Sequence, residues 1–257
     1  VSGTALNATS FGAFDANGIW SPIEPSVTYG SSGYRLQFED ATSTTTLGDD
    51  TSGNTNDFTL NNMATTDQVS DSPTNNFSTL SLSSRDRDSD VVLSEGNLNA
   101  SISAAGLGSC RATIPVSSGK WYWEATITGT GQREVIGISK PDVAITTLPG
   151  YHADMYVYFA TAQKINDSTL SSYGASFTNG DVIGVALDMD AGTLKFYKNG
   201  ADQGTAFTDL SGQFSPLIGS ASTASAVGYS MNFGQKTFAY TPPTGHVAIS
   251  ENNITVE

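Results

Sequence analysis

A chain of 257 residues can bury a sizeable core, as one large β domain or two small ones. Only 14% of its residues are charged while Gly, Ser, Thr and Asn abound, a balance that disfavours helices and favours many strands with many turns. A net charge of −14 with 11 basic residues argues against nucleic acid and anionic membranes as partners, because like charges repel.

Cys110, the only cysteine, permits no intrachain disulfide, and its setting in "LGSCRATIPV" reads as a small thiol buried in a strand. The apolar runs are too short to span a bilayer. The opening "VSGTALNATS" has neither a Met nor a signal-like segment, which suggests a processed or partly ordered chain.

Residues 1–30 lack periodicity and carry "SPIEPS", the reading of an arm or linker. From Gly33, "GYRLQFED" alternates Tyr34, Leu36 and Phe38 against polar residues and predicts a half-buried strand; "FTLNNM" predicts a second. Residues 64–90 hold few large apolar groups and are expected to run extended over a domain surface, so that residues 31–90 pack on the sandwich that follows.

From Val91 the β signal strengthens. "GKWYWEATITG" places Trp121, Trp123, Ala125 and Ile127 on one face and Tyr122, Glu124 and Thr126 on the other. "REVIGIS", "MYVYFA", "DVIGVALDM", "GTLKFYK", "FSPLIGSAS" and "VGYSMNFG" follow at intervals of about ten residues, with "DMDAG" and Asn199-Gly200 as turns. The pattern predicts an all-β, antiparallel sandwich over residues 91–245, with Trp121, Trp123, Ile183, Val185, Leu187, Leu194, Phe196 and Phe233 buried.

Four pieces in order, "GKWYWEATI", "YGASFTNGDVIGVALDMDAGTLKFYKNG", "FSPLIGSAS" and "MNFGQKTFAYTPPTG", resemble a SPRY domain. The resemblance implies a bent, concanavalin-like jelly-roll sandwich that serves as a binding module, with residues 246–257 as a C-terminal tail. Upstream, "LGDDTSGNTNDFT" is similar to the loop that opens laminin-G-like, lectin-type sandwiches. Together with "SDSPTNNFSTL" and "FAYTPPTGH" it resembles a cassette of bacteriophage tail-fibre and other virion proteins over about residues 30–248. After Pro-Pro-Thr-Gly the chain departs from that cassette and reads "HVAISENNITVE". This second resemblance implies a virion location on a tail or capsid surface, partners among other virion proteins or a host surface receptor of protein or glycan, and a homo-oligomer, with trimers common.

Catalytic constellations are weak. Asp188 and Asp190 sit in a hairpin turn, where Asp satisfies backbone amides. Asp49, Asp50, Asn54, Asn56 and Asp57 crowd oxygen ligands as calcium sites do, but without a closing bidentate Glu they read as an Asx-rich turn. The histidines, His152 and His246, stand in separate loops, and no hydrolase, zinc or phosphate-loop motif occurs. The expectation is therefore a non-enzyme without cofactor or metal. Binding is expected at the rim of loops 140–156 and 165–174, through Tyr151, His152, Tyr156, Asn166 and Tyr173, since Tyr, Ser, Asn and Gly make adaptable contacts on a rigid scaffold. Two other readings stand beside a phage fibre or spike: a capsid decoration (cement) protein, and a bacterial lectin-like adhesin or carbohydrate-active enzyme.

Overall fold

The computed structural model describes residues 5–14, 20–40, 42–69, 75–103, 108–129, 131, 134–145, 148–220 and 226–254. The chain divides into two units, Val1–Asn76 and Phe77–Glu257.

The first unit contains little regular structure. β1 (Gly12–Phe14) and β2 (Trp20–Pro22) pair as an antiparallel ribbon in a segment where no strand was expected. Strands of three residues are too short to display alternation. A single turn of helix, α1 (Thr44–Leu47), is closed by reciprocal hydrogen bonds between Ser43 and Thr46, and Leu47 is buried. The two strands expected here do not form. Leu36 makes one isolated bridge to Asp50, and residues 58–63 make none. Alternation marks a strand only where a neighbouring strand accepts the ladder, and here Phe38 (φ 54°) and Asn62 (φ 60°) turn the chain out of the extended region.

The second unit is a β-sandwich. Its strands are β3 (Val91–Ser94), β4 (Asn99–Ile102), β5 (Ser109–Arg111), β6 (Lys120–Ile127), β7 (Glu134–Ser139), β8 (Met155–Phe159), β9 (Gln163–Asn166), β10 (Thr169–Ser172), β11 (Val182–Asp188), β12 (Thr193–Lys198), β13 (Ala201–Phe207), β14 (Ser215–Ser220), β15 (Val227–Asn232) and β16 (Val247–Ala248). One sheet runs β10-β9-β8-β7-β14-β5, and the other runs β13-β12-β11-β6-β15-β4-β3. Every pairing is antiparallel except that of β16, which lies parallel to β6 with Val247 opposite Trp121. The long hairpin β11–β12 turns at Asp188–Thr193, and the next turn carries Asn199 (φ 49°) and Gly200 (φ 79°), the backbone that a two-residue hairpin turn requires.

Trp121, Trp123, Ile183, Val185, Leu187, Leu194, Phe196 and Phe233 are all buried between the sheets. Trp121 and Trp123 are core residues. Tyr229 links the layers: its hydroxyl accepts the Val135 N–H at 2.8 Å and donates to the Gly219 carbonyl. The outer faces are covered as well. Glu124, on the face opposite the tryptophans, is buried because residues 238–240 fold over it; its carboxylate accepts the N–H groups of Ala239 (2.7 Å) and Tyr240 (2.9 Å) and the Tyr122 hydroxyl. Phe238 meets Tyr122 edge to face. From Phe77 the segment before β3 runs along the sandwich through single bridges, Phe77 to Ser250, Leu80 to Ala112 and Arg87 to Cys110.

Candidate functional site

The six-stranded sheet is apolar on both faces, and that property builds the site. Ile136, Ile138, Tyr158 and Ile218 point into the main core, whereas their neighbours Val135, Val157, Ile165 and Leu217 form a second cluster on the outer face. Period-two alternation forces this split. The outer cluster must be roofed, and residues 140–145 and 148–154 roof it, with Val143 joining the cluster beside Met155 of β8. Gly150 crosses directly above the strands with φ +86°; a Cβ there would fall 2.1 Å from Ile165 and 2.8 Å from Val157.

Polar groups fasten the roof. Arg111, 1% exposed, sits at its base and donates to the carbonyls of Val143 (2.6 Å), Lys140 (3.1 Å) and Arg85 (3.0 Å) and to Asp86 (3.0 Å). The two ends of the loop are joined by the Lys140 N–H to the Asp154 carbonyl, at 3.1 Å, and by a 2.7 Å ion pair between the same residues. The hydrogen bond from the Lys140 ammonium to the Asp154 carboxylate raises the pKa of Lys140.

The two loops singled out in the sequence meet. Asn166 donates to the carbonyls of Ala153 (2.7 Å) and Met155 (2.8 Å), and the N–H groups of Ser168 and Asp167 donate to Gly150 and His152. Much of the second segment is strand, not loop. β9 and β10 turn at Asp167 (φ 47°) and Ser168 (φ 61°), a hairpin turn without glycine. Leu170 stands opposite Ile165, which stands opposite Val157, so Leu170 extends the outer cluster to the sheet edge. There Leu170 is 49% exposed; Tyr151, 50% exposed, follows Gly150, whose carbonyl accepts the Ser168 N–H. Sequence reasoning missed Leu170 because "INDSTLSSYG" lacks an Asn-Gly or Asp-Gly turn signal.

The five residues expected at the rim separate into two kinds. Tyr151 and His152 are exposed, with His152 Nδ1 accepting the Asp154 N–H at 3.1 Å. The other three are supports. Asn166 ties the loops. Tyr156 points the other way, into the sandwich, edge-on to Phe207 and Phe214. Tyr173 packs on Tyr158 and Phe196, donates to the Gly204 carbonyl at 2.6 Å and accepts the Phe196 N–H; burial pushes its phenol pKa well up.

The remaining candidates serve the backbone. Asp188 accepts the Ala191 N–H and pairs with Lys120, and Asp190 accepts the Gly119 N–H at 2.7 Å. Asp50 accepts four donors, the N–H groups of Arg35, Ser52 and Asn56 and the Ser52 hydroxyl, so its oxygens are already committed to its own loop and to the segment of Arg35. Asn54 and Asn56 turn their amides to the Gly33 carbonyl. Cys110 is buried, and desolvation pushes its thiol up to about 12.

These observations describe an all-β scaffold that presents an apolar rim. Residues 120–236 match the SPRY domain. SPRY domains mediate protein–protein binding. The SPRY domain of human HERC1 superposes with a TM-score of 0.51 at 24% identity, covering 57% of this chain and 96% of that one, which confirms the sandwich fold. Ran-binding protein 9 of Xenopus tropicalis is 34% identical over 171 residues, 62% of this chain and 31% of its own length. Ran-binding protein 10 of Danio rerio is 33% identical over 171 residues, 62% of this chain and 28% of its own. The chain thus spans less than a third of the length of these relatives.

Proposed function

We infer that the protein is a non-enzymatic binding module whose SPRY sandwich takes a protein partner at the rim where Leu170 and Tyr151 emerge. The observation that carries this reading is the outer cluster itself: a roofed apolar layer that the β8–β9–β10 register continues to half-exposed Leu170 at the sheet edge, with half-exposed Tyr151 in the roof. Exposed apolar groups on a fixed support are the usual anchors of an interface. The roof is fixed by Arg111 and Asn166, so the rim loses little conformational entropy on binding.

The setting we propose is a phage virion, as a tail fibre or surface spike facing a host receptor or another virion protein. It rests on the cassette-like order of "LGDDTSGNTNDFT", "SDSPTNNFSTL" and "FAYTPPTGH" around the sandwich. The Ran-binding proteins named above come from animals. The test is competition. The purified chain, added to susceptible cells, should block adsorption of the particle that carries it, and Tyr151→Ala with Leu170→Ala should raise the half-blocking concentration at least about 30-fold. Equal competition by chain and double variant refutes the rim. Adsorption indifferent to the chain, while the rim still binds another protein of the particle, refutes the receptor role and leaves the binding module.

A further inference from the structure

The two sheets of the sandwich end in four edge strands, β5 and β10 in one and β3 and β13 in the other. An edge offers backbone donors and acceptors to any extended chain, and proteins commonly guard it. Three of these four are guarded. Residues 86–88 cover β5, with the Arg111 N–H donating to the Asp86 carbonyl and the Asp88 N–H to that of Ser109. β3 is engaged at Val91, whose carbonyl accepts Arg87 and whose N–H donates to the Asp88 carbonyl. β13 has a broken register, and its Gly204 and Ala206 carbonyls accept the Tyr173 hydroxyl and the Lys164 ammonium.

β10 has no such guard. Thr169–Ser172 holds no charge and no proline, pairs with β9 without a bulge, and is exposed at every residue. The turn fixes which of its groups face outward. In a two-residue hairpin the flanking pair, here Asn166 and Thr169, exchanges the first ladder bonds, and inward positions then recur at every second residue. The Tyr173 N–H, bonded to the Ala162 carbonyl at 3.0 Å, keeps that parity. Leu170 and Ser172 therefore direct their N–H and C=O groups away from β9, and among the described residues no group bonds them.

Backbone groups at this spacing are matched by an extended polypeptide. The side chains narrow the choice. Gly137, Val157, Ile165 and Leu170 stand in one cross-strand row, so a residue placed opposite Leu170 joins an apolar row. A net charge of −14 disfavours an acidic segment, and it disfavours a second copy of β10, which would bring the same charge with it. We propose that β10 is a docking edge: an extended, non-acidic segment of a protein partner adds to the sheet as a further strand, with an apolar side chain opposite Leu170. This rests on the binding-module reading and gives the partner its conformation and chemistry.

Random linear octapeptides selected on the immobilised full chain supply the probe. Those that bind should alternate apolar and polar residues. N-methylation at every second amide of a selected peptide should each time raise the dissociation constant at least about 10-fold, and at the intervening amides less than about 2-fold. Ser172→Pro removes an outward N–H and leaves the bonds to β9 in place; it should weaken binding at least about 10-fold at an unchanged melting temperature. Exchange of the Leu170 and Ser172 amides should slow in the complex. Failure to find a peptide that binds more tightly than about 100 µM overturns the proposal, as does an N-methyl scan without period two. So does a dimer whose β10 amides lose protection on dilution, since a second copy would then be the occupant. Binding that falls with Tyr151→Ala and Leu170→Ala but survives Ser172→Pro removes the edge and leaves the rim. Binding that falls with Ser172→Pro alone removes the side-chain anchors and leaves the edge.

Discussion

The two units of this chain carry the same local sequence signal and make different use of it. "GYRLQFED" in the first unit alternates as cleanly as "DVIGVALDM" in the second. The latter is β11, held between β6 and β12 in unbroken register, with Val185 opposite both Trp123 and Phe196. The former makes one bridge, leaves Tyr34 and Phe38 exposed and is no strand. Alternation states which face a side chain would take; a neighbouring strand decides whether there is a face to take. The second unit is organised by its core, the first by hydrogen bonds in loops such as that around Asp50.

The sharpest way to break that contrast is to remove a polar group from the second unit. Arg111 is a buried cation whose donors satisfy three carbonyls and a carboxylate, and truncation leaves all of them facing a void. Arg111→Ala should cost about 4 kcal/mol, lowering the melting temperature of the sandwich by roughly 8–16 °C. Amide exchange should accelerate most around Lys140 and Val143. An unchanged melting temperature would mean that the apolar cluster alone secures the roof.

A smaller change separates support from contact within the rim. Tyr173→Ala removes a ring packed on Tyr158 and Phe196 and should cost about 3 kcal/mol, and Tyr173→Phe, which loses only the hydroxyl bonds, about 1 kcal/mol. Tyr151→Ala should stay within about 0.5 kcal/mol of the parent, because the side chain is half exposed. Chemical denaturation of the three variants checks the order; equal losses at both positions would make Tyr151 another support.

The sandwich was legible in the sequence because nearly every strand borders another, and period two then reports burial directly. Of the two segments that meet, 140–156 reads as a loop by subtraction of the strands, whereas 165–174 reads the same way and is largely the β9–β10 hairpin. What lay beyond reach was anything set by a second covering layer. Glu124 reads as outward and is outward, yet it is buried, because residues 238–240 return over it from more than a hundred positions away. Tyr156 and Tyr173 read as loop aromatics free for contact, and distant phenylalanines claim them. Arg111 gives no signal at all, since three of its partners are backbone carbonyls that any sequence supplies and the fourth, Asp86, lies 25 positions away.

The smallest expected effect concerns the first unit and its dependence on polar order. Burial alone would raise the Asp50 carboxyl, but the Arg35 N–H and the donors of Ser52 and Asn56 outweigh it and hold the pKa at about 2, below its ordinary 3.8. A depressed carboxyl stabilises the folded form fully above the ordinary value and loses that contribution as pH falls through the folded one. Between pH 4 and 2 the loop from Gly48 to Phe58 should therefore loosen before the core strands of the sandwich do. A carbon-detected titration of Asp50 should show a midpoint near 2, with the amides of Arg35, Ser52 and Asn56 moving in step. Asp50→Asn places an N–H₂ against one of those donors, so at neutral pH its Asn56 amide should exchange faster than the parent's at the same pH. A midpoint at 3.8 would mean that the four donors do not hold the carboxylate in solution, and that the first unit lacks even the polar order that sets it apart from the second.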